Sequence, residues 1–309
     1  MIKQKRPGSG WHREPEGHSR AARGLTAKEK VEEKVEEKPK EAPIVEASKV
    51  IENGFFEFKI DSNGLTPALS IITGHVLEKV VKILNELPIR VCKNGAESVV
   101  MDSANVALVM LTWNDYKSEG VGTWGLSLSE LQKVIDASGE GEKKVRLEAS
   151  KKDNQYEALI SCGRNSASIK LLELEVSTKS PPLEYTEVER VVVDRNEVLK
   201  QIRAFAKISD SIWFAVAPGA LKLSVKGEGG QNATTFINGE TAKKKEDNIK
   251  SLFPVEYLLK LFDAMPPKST VEVSIKSDYP LHLKLVEVAG SKRLPVGLRL
   301  VVAPRIEND

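Results

Sequence analysis

The 309-residue chain has no apolar run near the roughly 18 residues that a membrane span requires. Its N-terminus is charged and lacks the apolar core of a secretory signal, so a soluble cytoplasmic protein is expected. Cysteine is scarce: Cys92 and Cys162 lie far apart in strand-like segments, outside any Cys-x-x-Cys. They read as two buried thiols and argue against a metal or redox site. The four histidines, His12, His18, His75 and His282, form no zinc-binding spacing. The sequence has no Gly-x-Ser-x-Gly, no Walker loop and no dinucleotide fingerprint. Its one glycine-rich stretch, 227–230, lacks a following Lys-Ser or Lys-Thr and reads as a hairpin turn. No catalytic constellation is present, so neither an enzyme nor a bound cofactor is expected. An excess of one charge is missing as well: 46 basic residues against 44 acidic ones leave a net charge of +2. Any affinity for nucleic acid must therefore come from local placement of Lys and Arg.

What is present is an ordinary globular composition, 40% hydrophobic and 29% charged, at a length that suggests two domains. Residues 1–53 stand apart. They are rich in Lys, Arg and Glu and poor in aromatics, so a disordered extension is expected. The stretch 177–189 (STKSPPLEYTEVE) has no helical period and no alternation, and reads as an extended connector. It also presents Pro181, Pro182, Leu183 and Tyr185 where a tether would need only polar residues, which suggests a docking role.

The two sides of the connector look alike, and give two domains over 54–176 and 190–309. On the first side, strands are expected at 55–60 and 68–72, then a helix over 74–87 with Leu77, Val80, Val81, Leu84 and Leu87 on one face and Pro88 at its end. Strands follow at 89–92, 98–101 and 106–113, a helix within 126–138, and strands at 145–149, 155–162 and 167–176. On the second side a strand at 191–193 precedes Asp194, a good N-cap for a helix over 196–207 with Val198, Leu199, Ile202, Phe205 and Ala206 inside. Strands at 212–217, 220–226 and 233–238 lead to a charged loop over 241–248. A fourth helix over 254–265 has Val255, Leu258, Leu259 and Phe262 inside, and strands at 271–277, 281–288 and 298–303 complete the pattern. The apolar rows of the first helices begin at Val76 and Val198, an offset of 122; Leu131 and Leu258 align the second helices at 127. Such offsets indicate duplicated α+β domains, each with two helices on one side of an antiparallel sheet. The wet helix faces carry Lys79, Lys82, Lys133, Lys200, Arg203, Lys207 and Lys260, mixed with Glu78, Glu86, Asp136, Glu256 and Asp263. Singly, each of these is a solvated charge.

Several segments then point to one family. Residues 101–109 (MDSANVALV) resemble the Met/Leu-Asp-x-x-His-x-x-Leu segment of the DNA sliding clamps, the PCNA family. The ending 300–307 (LVVAPRIE) resembles the clamp terminus of leucine, Ala-Pro, a basic residue, a branched apolar residue and Glu. Residues 277–281 (SDYPL) match the segment ahead of the penultimate clamp strand, and 209–212 (SDSI) resemble archaeal members. The likeness covers 68–309. The region ahead of 68, including 55–60, has no expected counterpart; 114–123 looks shorter than the strand-bearing loop of the family, and Asn105 stands where many relatives have His.

The resemblance implies a trimeric ring around duplex DNA, with helices lining the hole and sheets forming the outer wall. Its helix cations would meet phosphate without base readout. Ring closure is expected at the edge strands 167–176, with Leu172, Leu174 and Val176 on one face, and 233–238. Polymerase, clamp loader, flap nuclease and ligase would dock short peptides in a pocket carried over by position. Its walls are Met101, Asn105, Val106, Leu108, Pro182, Leu183, Tyr185, Tyr279, Pro280, Val301, Ala303 and Pro304. For Val106 and Leu108 the plainer role, pinning the connector and C-terminus to the sheet, is the stronger one. Two alternatives fit the same sequence: a subunit of a heterotrimeric clamp, and a clamp-fold scaffold that no longer encircles DNA. Neither expectation involves a membrane.

Overall fold

The computed structural model describes residues 54–61, 79–80, 83–84, 86–139, 142–152, 155–172, 188–241, 249–291 and 294–305. The expected charged extension, the strand at 68–72, most of the helix over 74–87, the connector and the loop at 242–248 lie outside these residues. With them lie Lys82, Pro182, Leu183 and Tyr185.

The first half runs β1 (Gly54–Asp61), β2 (Glu86–Cys92), β3 (Gly95–Met101), β4 (Ala107–Trp113), β5 (Tyr116–Glu119), β6 (Gly122–Ser127), α1 (Leu128–Ala137), β7 (Glu142–Lys152), β8 (Gln155–Cys162) and β9 (Asn165–Lys170). The second half runs β10 (Glu189–Asp194), α2 (Arg195–Phe205), β11 (Ser211–Ala217), β12 (Ala220–Lys226), β13 (Asn232–Thr241), β14 (Lys250–Pro254), α3 (Val255–Ala264), β15 (Ser269–Ile275), β16 (Leu281–Val288) and β17 (Val296–Val302). The strands form two sheets, ordered β5-β1-β7-β8-β9 and β14-β11-β12-β13-β10-β15-β16-β17-β4-β3-β2-β6. Every named pairing is antiparallel.

The duplication is visible strand by strand. β2-β3-β4 answers β11-β12-β13, and β6-α1-β7-β8-β9 answers β14-α3-β15-β16-β17. β1 takes the place of β10: it pairs β7 as β10 pairs β15. The 55–60 strand, expected to lack a counterpart, thus has one in β10 of the second half. Phe56, Phe58 and Ile60 of β1 are buried, and the Trp113 ring lies 5.4 Å from Phe56 and 4.9 Å from Phe58. The segment after Trp113 is also strand-bearing, since β5 closes on β1.

The alternation of large apolar residues builds the core from one face of each sheet. Phe214, Leu223, Phe253, Leu283 and Leu300 are fully buried. The helices present Leu131, Val134 and Ile135 from α1, and Val198, Leu199, Ile202 and Phe205 from α2. Asp194 caps α2 through its carboxylate, which accepts from the Glu197 backbone N–H at 2.9 Å. Ala206 is the residue after α2 and is exposed, not inside. On α3, Leu261 is fully buried while Leu259 is only partly so, because α3 packs against α2 as well as β14 and buries a wider arc. Leu87 is buried in β2, not in a helix: the helical stretch has given way to a turn by Ile83. Pro88 sits within β2, opposite Gly125 of β6. It is tolerated there because β3 pairs β2 only from Arg90 to Cys92, leaving one side of Pro88 free of a ladder partner.

Gly239 is where β13 leaves β12 and meets β10. A Cβ there would stand 2.5 Å from the Val192 carbonyl oxygen and 2.7 Å from Val191 Cγ2, so only glycine permits the crossing. Cys162 is buried as expected, whereas Cys92 is half-buried; both are free thiols.

Candidate docking surface and helical face

The Met101–Val106 segment is a tight loop organised by one carboxylate. Asp102 accepts from the backbone N–H groups of Ala104 (3.3 Å), Val106 (2.8 Å) and Ala107 (2.6 Å). Its own N–H donates to Ala107 O at 2.8 Å. Asn105 takes the left-handed conformation (φ 56°) that closes the loop, a role in which Asn is tolerated. The Tyr257 hydroxyl of α3 donates to the second oxygen of Asp102 at 2.7 Å. Burial pushes Asp102 up, but the Ala107, Tyr257, Val106 and Ala104 bonds outweigh it and hold the carboxyl below its usual range. The same contact, aided by burial, pushes Tyr257 up to about 12.

The C-terminal segment runs along this loop. Val301 pairs Leu108, and the Ala303 N–H donates to Val106 O at 2.9 Å. Beyond Pro304, the Arg305 N–H donates to Leu252 O at 2.7 Å, and its guanidinium reaches Asp210 Oδ2 and Ser211 Oγ, both at 2.6 Å. The Arg305 bond, with Ser211, holds Asp210 below the usual carboxylate range. Tyr279 and Pro280 form the turn into β16, whose first residue pairs Val302 of β17. The Asp278 N–H donates to Ser251 Oγ at 3.0 Å, and Ser251 Oγ donates to Lys276 O at 2.9 Å.

These bonds bring Met101, Asn105, Val106, Leu108, Val301, Ala303 and Pro304 to the β4–β17 joint. Met101 (47%) and Tyr279 (44%) are the large apolar residues that it exposes, while Leu108 and Val301 are buried and serve the joint. Sequence reasoning missed Tyr257, which stands off the apolar row of α3 and makes sense only once the fold brings Asp102 to it. It also missed Arg305 with Asp210.

The helix cations divide by partner. Lys133, Lys200 and Lys207 are exposed. Lys260 is bonded to Glu256 one turn away at 2.7 Å and lies 5.4 Å from the Tyr257 ring centroid. Lys79 meets Asp263 at 3.3 Å, and Arg203 meets the same carboxylate at 3.8 Å. Lys207 lies beyond the end of α2, not on it. Leu172, expected at an exposed interface strand, lies just past β9, and its N–H donates to Gly125 O at 2.9 Å within the chain. Among the described residues no His, Cys, Asp and Glu cluster could hold a metal ion, and no helix is long and apolar enough to cross a membrane.

No protein-family model matches the chain. In sequence it is similar to the DNA polymerase sliding clamp of Thermoplasma volcanium, at 26% identity over 236 residues, covering 73% of this chain and 92% of that protein. A second relative of the same name, from Methanothrix thermoacetophila, is 24% identical over 238 residues, covering 75% and 94%. In fold the chain is similar to A. fulgidus PCNA, solved with the C-terminal region of FEN-1 bound. That match has a TM-score of 0.63 at 20% identity and covers 82% of this chain and all of that one. With the duplicated sheets, the Asp102 loop and the Ala-Pro-Arg terminus on one surface, the chain is similar in sequence to archaeal DNA polymerase sliding clamps and in fold to PCNA.

Proposed function

We propose that the chain is one subunit of a sliding clamp. Three copies close head to tail around duplex DNA, and the ring serves as a processivity factor and a recruitment platform with no chemistry of its own. Each subunit has two clamp domains, 54–176 and 190–309, joined by a connector over 177–189.

The observation that carries this reading is a joint the chain makes with itself. β17, the last strand of the second half, pairs β4 of the first half along seven residues, from Val296 with Trp113 to Val302 with Ala107. The counterparts of these strands are β9 and β13. Among the described residues, β9 pairs only β8, and β13 meets β10 only from Gly239 to Thr241, so its 232–238 stretch has one unpaired edge. Each copy thus holds one closed joint and two complementary open halves, the condition for heterologous assembly. The duplication also supplies the register. The Leu172 N–H donates to Gly125 O as the Arg305 N–H donates to Leu252 O, an offset of 133. Ala96 with Trp113 corresponds to Leu221 with Ile237, an offset of 124 across β4 and β13. The Leu300–Val109 pair then translates to Ala167 of one copy opposite Ala233 of the next.

Enclosure explains why a near-neutral chain could serve DNA: a closed ring holds duplex by topology and needs only weak phosphate contacts from the helix faces. The test joins Ala167→Cys with Ala233→Cys under mild oxidation. A covalent trimer retained on closed circular DNA and lost from linear DNA is expected. A chain that stays monomeric by solution mass and closes only with a different clamp subunit points to the heterotrimeric alternative. A covalent trimer that never retains circular DNA points to the scaffold alternative.

A further inference from the structure

Asp263 is the meeting point of three cations, Arg195 and Arg203 from α2 and Lys79 from the first half. Lys79 Nζ lies 3.3 Å from it, Arg195 Nη2 3.6 Å and Arg203 Nη2 3.8 Å. Its placement is unfavourable in isolation, since an acid in the last turn of a helix opposes the macrodipole. Asp263 is in the last turn of α3, which has no basic residue of its own there. Arg195 cannot turn away: it is buried, and its guanidinium donates to Phe262 O (2.7 Å), Asp263 O (3.3 Å) and Asn196 Oδ1 (3.0 Å). Arg203, with a side chain 63% exposed, is free to reorient about Asp263. Lys79 and Arg203 both belong to the cations assigned above to phosphate contact.

We propose that Asp263 is a built-in competitor of DNA: it holds Lys79 and Arg203 in the empty ring and gives them up to phosphate when duplex is enclosed. This rests on the clamp reading of the preceding subsection. Each cation then exchanges one anion for another, so the net gain on DNA contact is small and the ring stays mobile. Lys200, exposed on the same helix as Arg203, is not among the cations paired with Asp263.

The experiment measures binding of the full-length protein to a short linear duplex across a salt series. Asp263→Asn is expected to tighten binding roughly fivefold at low salt, the scale of a part-exposed ion pair per subunit. It should also steepen the dependence of log K on log salt. The gain should vanish when Lys79→Gln and Arg203→Gln are added. Unchanged affinity and slope, or a gain that survives those additions, overturns the proposal. A second comparison avoids the Asp263 variant altogether: Arg203→Gln should cost less affinity than Lys200→Gln, and equal losses also overturn it. If the unaltered protein is not retained on closed circular DNA, the clamp reading itself fails, and this inference with it.

Discussion

The Tyr257 hydroxyl donates to Asp102 Oδ2 at 2.7 Å across 155 residues of sequence, tying the second-half helix α3 to the loop that opens the first-half strand β4. The two residues do unequal work. Tyr257→Phe removes one bond to a charged acceptor and is expected to cost about 1–2 kcal/mol by urea denaturation. Asp102→Ala should cost about 3 kcal/mol or more, because three backbone N–H groups lose their acceptor as well. Equal losses would mean that the loop does not depend on the carboxylate.

The same contact has a spectroscopic signature. With Asp102 ionised beside it, the Tyr257 phenol is pushed up to about 12 from an ordinary 10.0. An ultraviolet titration should therefore show one tyrosine resisting ionisation after the exposed ones have titrated. In Asp102→Asn that tyrosine should return toward the ordinary range. A phenol still titrating near 12 in the variant would assign the shift to burial, not to the carboxylate.

His282 gives the stability of the chain a pH dependence of its own. It is buried in β16 between Ser274 and Val301, and burial with the Arg299 charge pulls it from 6.5 to about 4. The folded state therefore binds this proton less readily than the unfolded chain. Stability is full above pH 6.5 and falls as pH drops toward 4, by up to about 3 kcal/mol. The carboxylates of Asp102, Asp210 and Asp263 are lowered from 3.8, so their losses come at still lower pH. Denaturation curves from pH 7 to 4 should flatten in His282→Gln; an unchanged slope would place the effect elsewhere.

The repeat was legible because it rests on apolar periodicity and turn chemistry. Asp194 caps α2 as its position before an apolar row suggested, and the strands on either side of Asn94-Gly95 form as read. What escaped were features set by tertiary pairing. Leu87 continues a helical row that Pro88 reads as ending, yet β6 recruits both into β2. Leu261, at i+3 from Leu258, escaped the reading in favour of Leu259, and contact of α3 with α2 as well as β14 buries it. The 55–60 strand read as a strand without a counterpart in the family, because its partners β5 and β7 are distant in sequence. On the docking surface, Met101, Ala303 and Pro304 were readable from motif, whereas the Tyr257 contact to Asp102 and the Asp263 cluster depend on how distant segments meet.

Gly239 offers a steric test of the open edge on β13. A Cβ at this position meets the Val192 carbonyl, Val191 Cγ2 and Val193 Cγ1, all within 2.8 Å, and two of the three are branched side chains in a buried strand. Gly239→Ala is expected to cost about 2–3 kcal/mol as the strands separate. The shift should also disturb the adjoining 232–238 edge. Thermal unfolding and solution mass should therefore change together, with a lower melting temperature and fewer closed rings. A destabilised chain that still assembles fully would detach the crossing at Gly239 from the joint.

The last test concerns which side chains hold a partner peptide. Met101 and Tyr279 are the exposed apolar residues flanking the β4–β17 joint, and Pro304 adds a half-buried rigid wall beside them. Their surroundings are already fixed by bonds that a peptide need not supply: Asp102 to the loop, Ala303 to Val106, Arg305 to Asp210. A preformed surface of this kind saves ordering cost on binding, so a few aromatic or aliphatic anchors can dominate affinity. Met101→Ala and Tyr279→Ala are each expected to weaken a flap-nuclease tail peptide by about 2 kcal/mol, roughly thirtyfold. Leu183→Ala with Pro304→Ala should do at least as much, which brings the connector into the same site. Leu108→Ala behaves differently: its side chain is buried in the joint, so it should lower stability more than it lowers peptide affinity at a temperature where the chain is folded. Calorimetric titration of one peptide against the four variants, with solution mass as a check on ring closure, separates the roles. Equal affinity across all of them would move the docking site away from this joint.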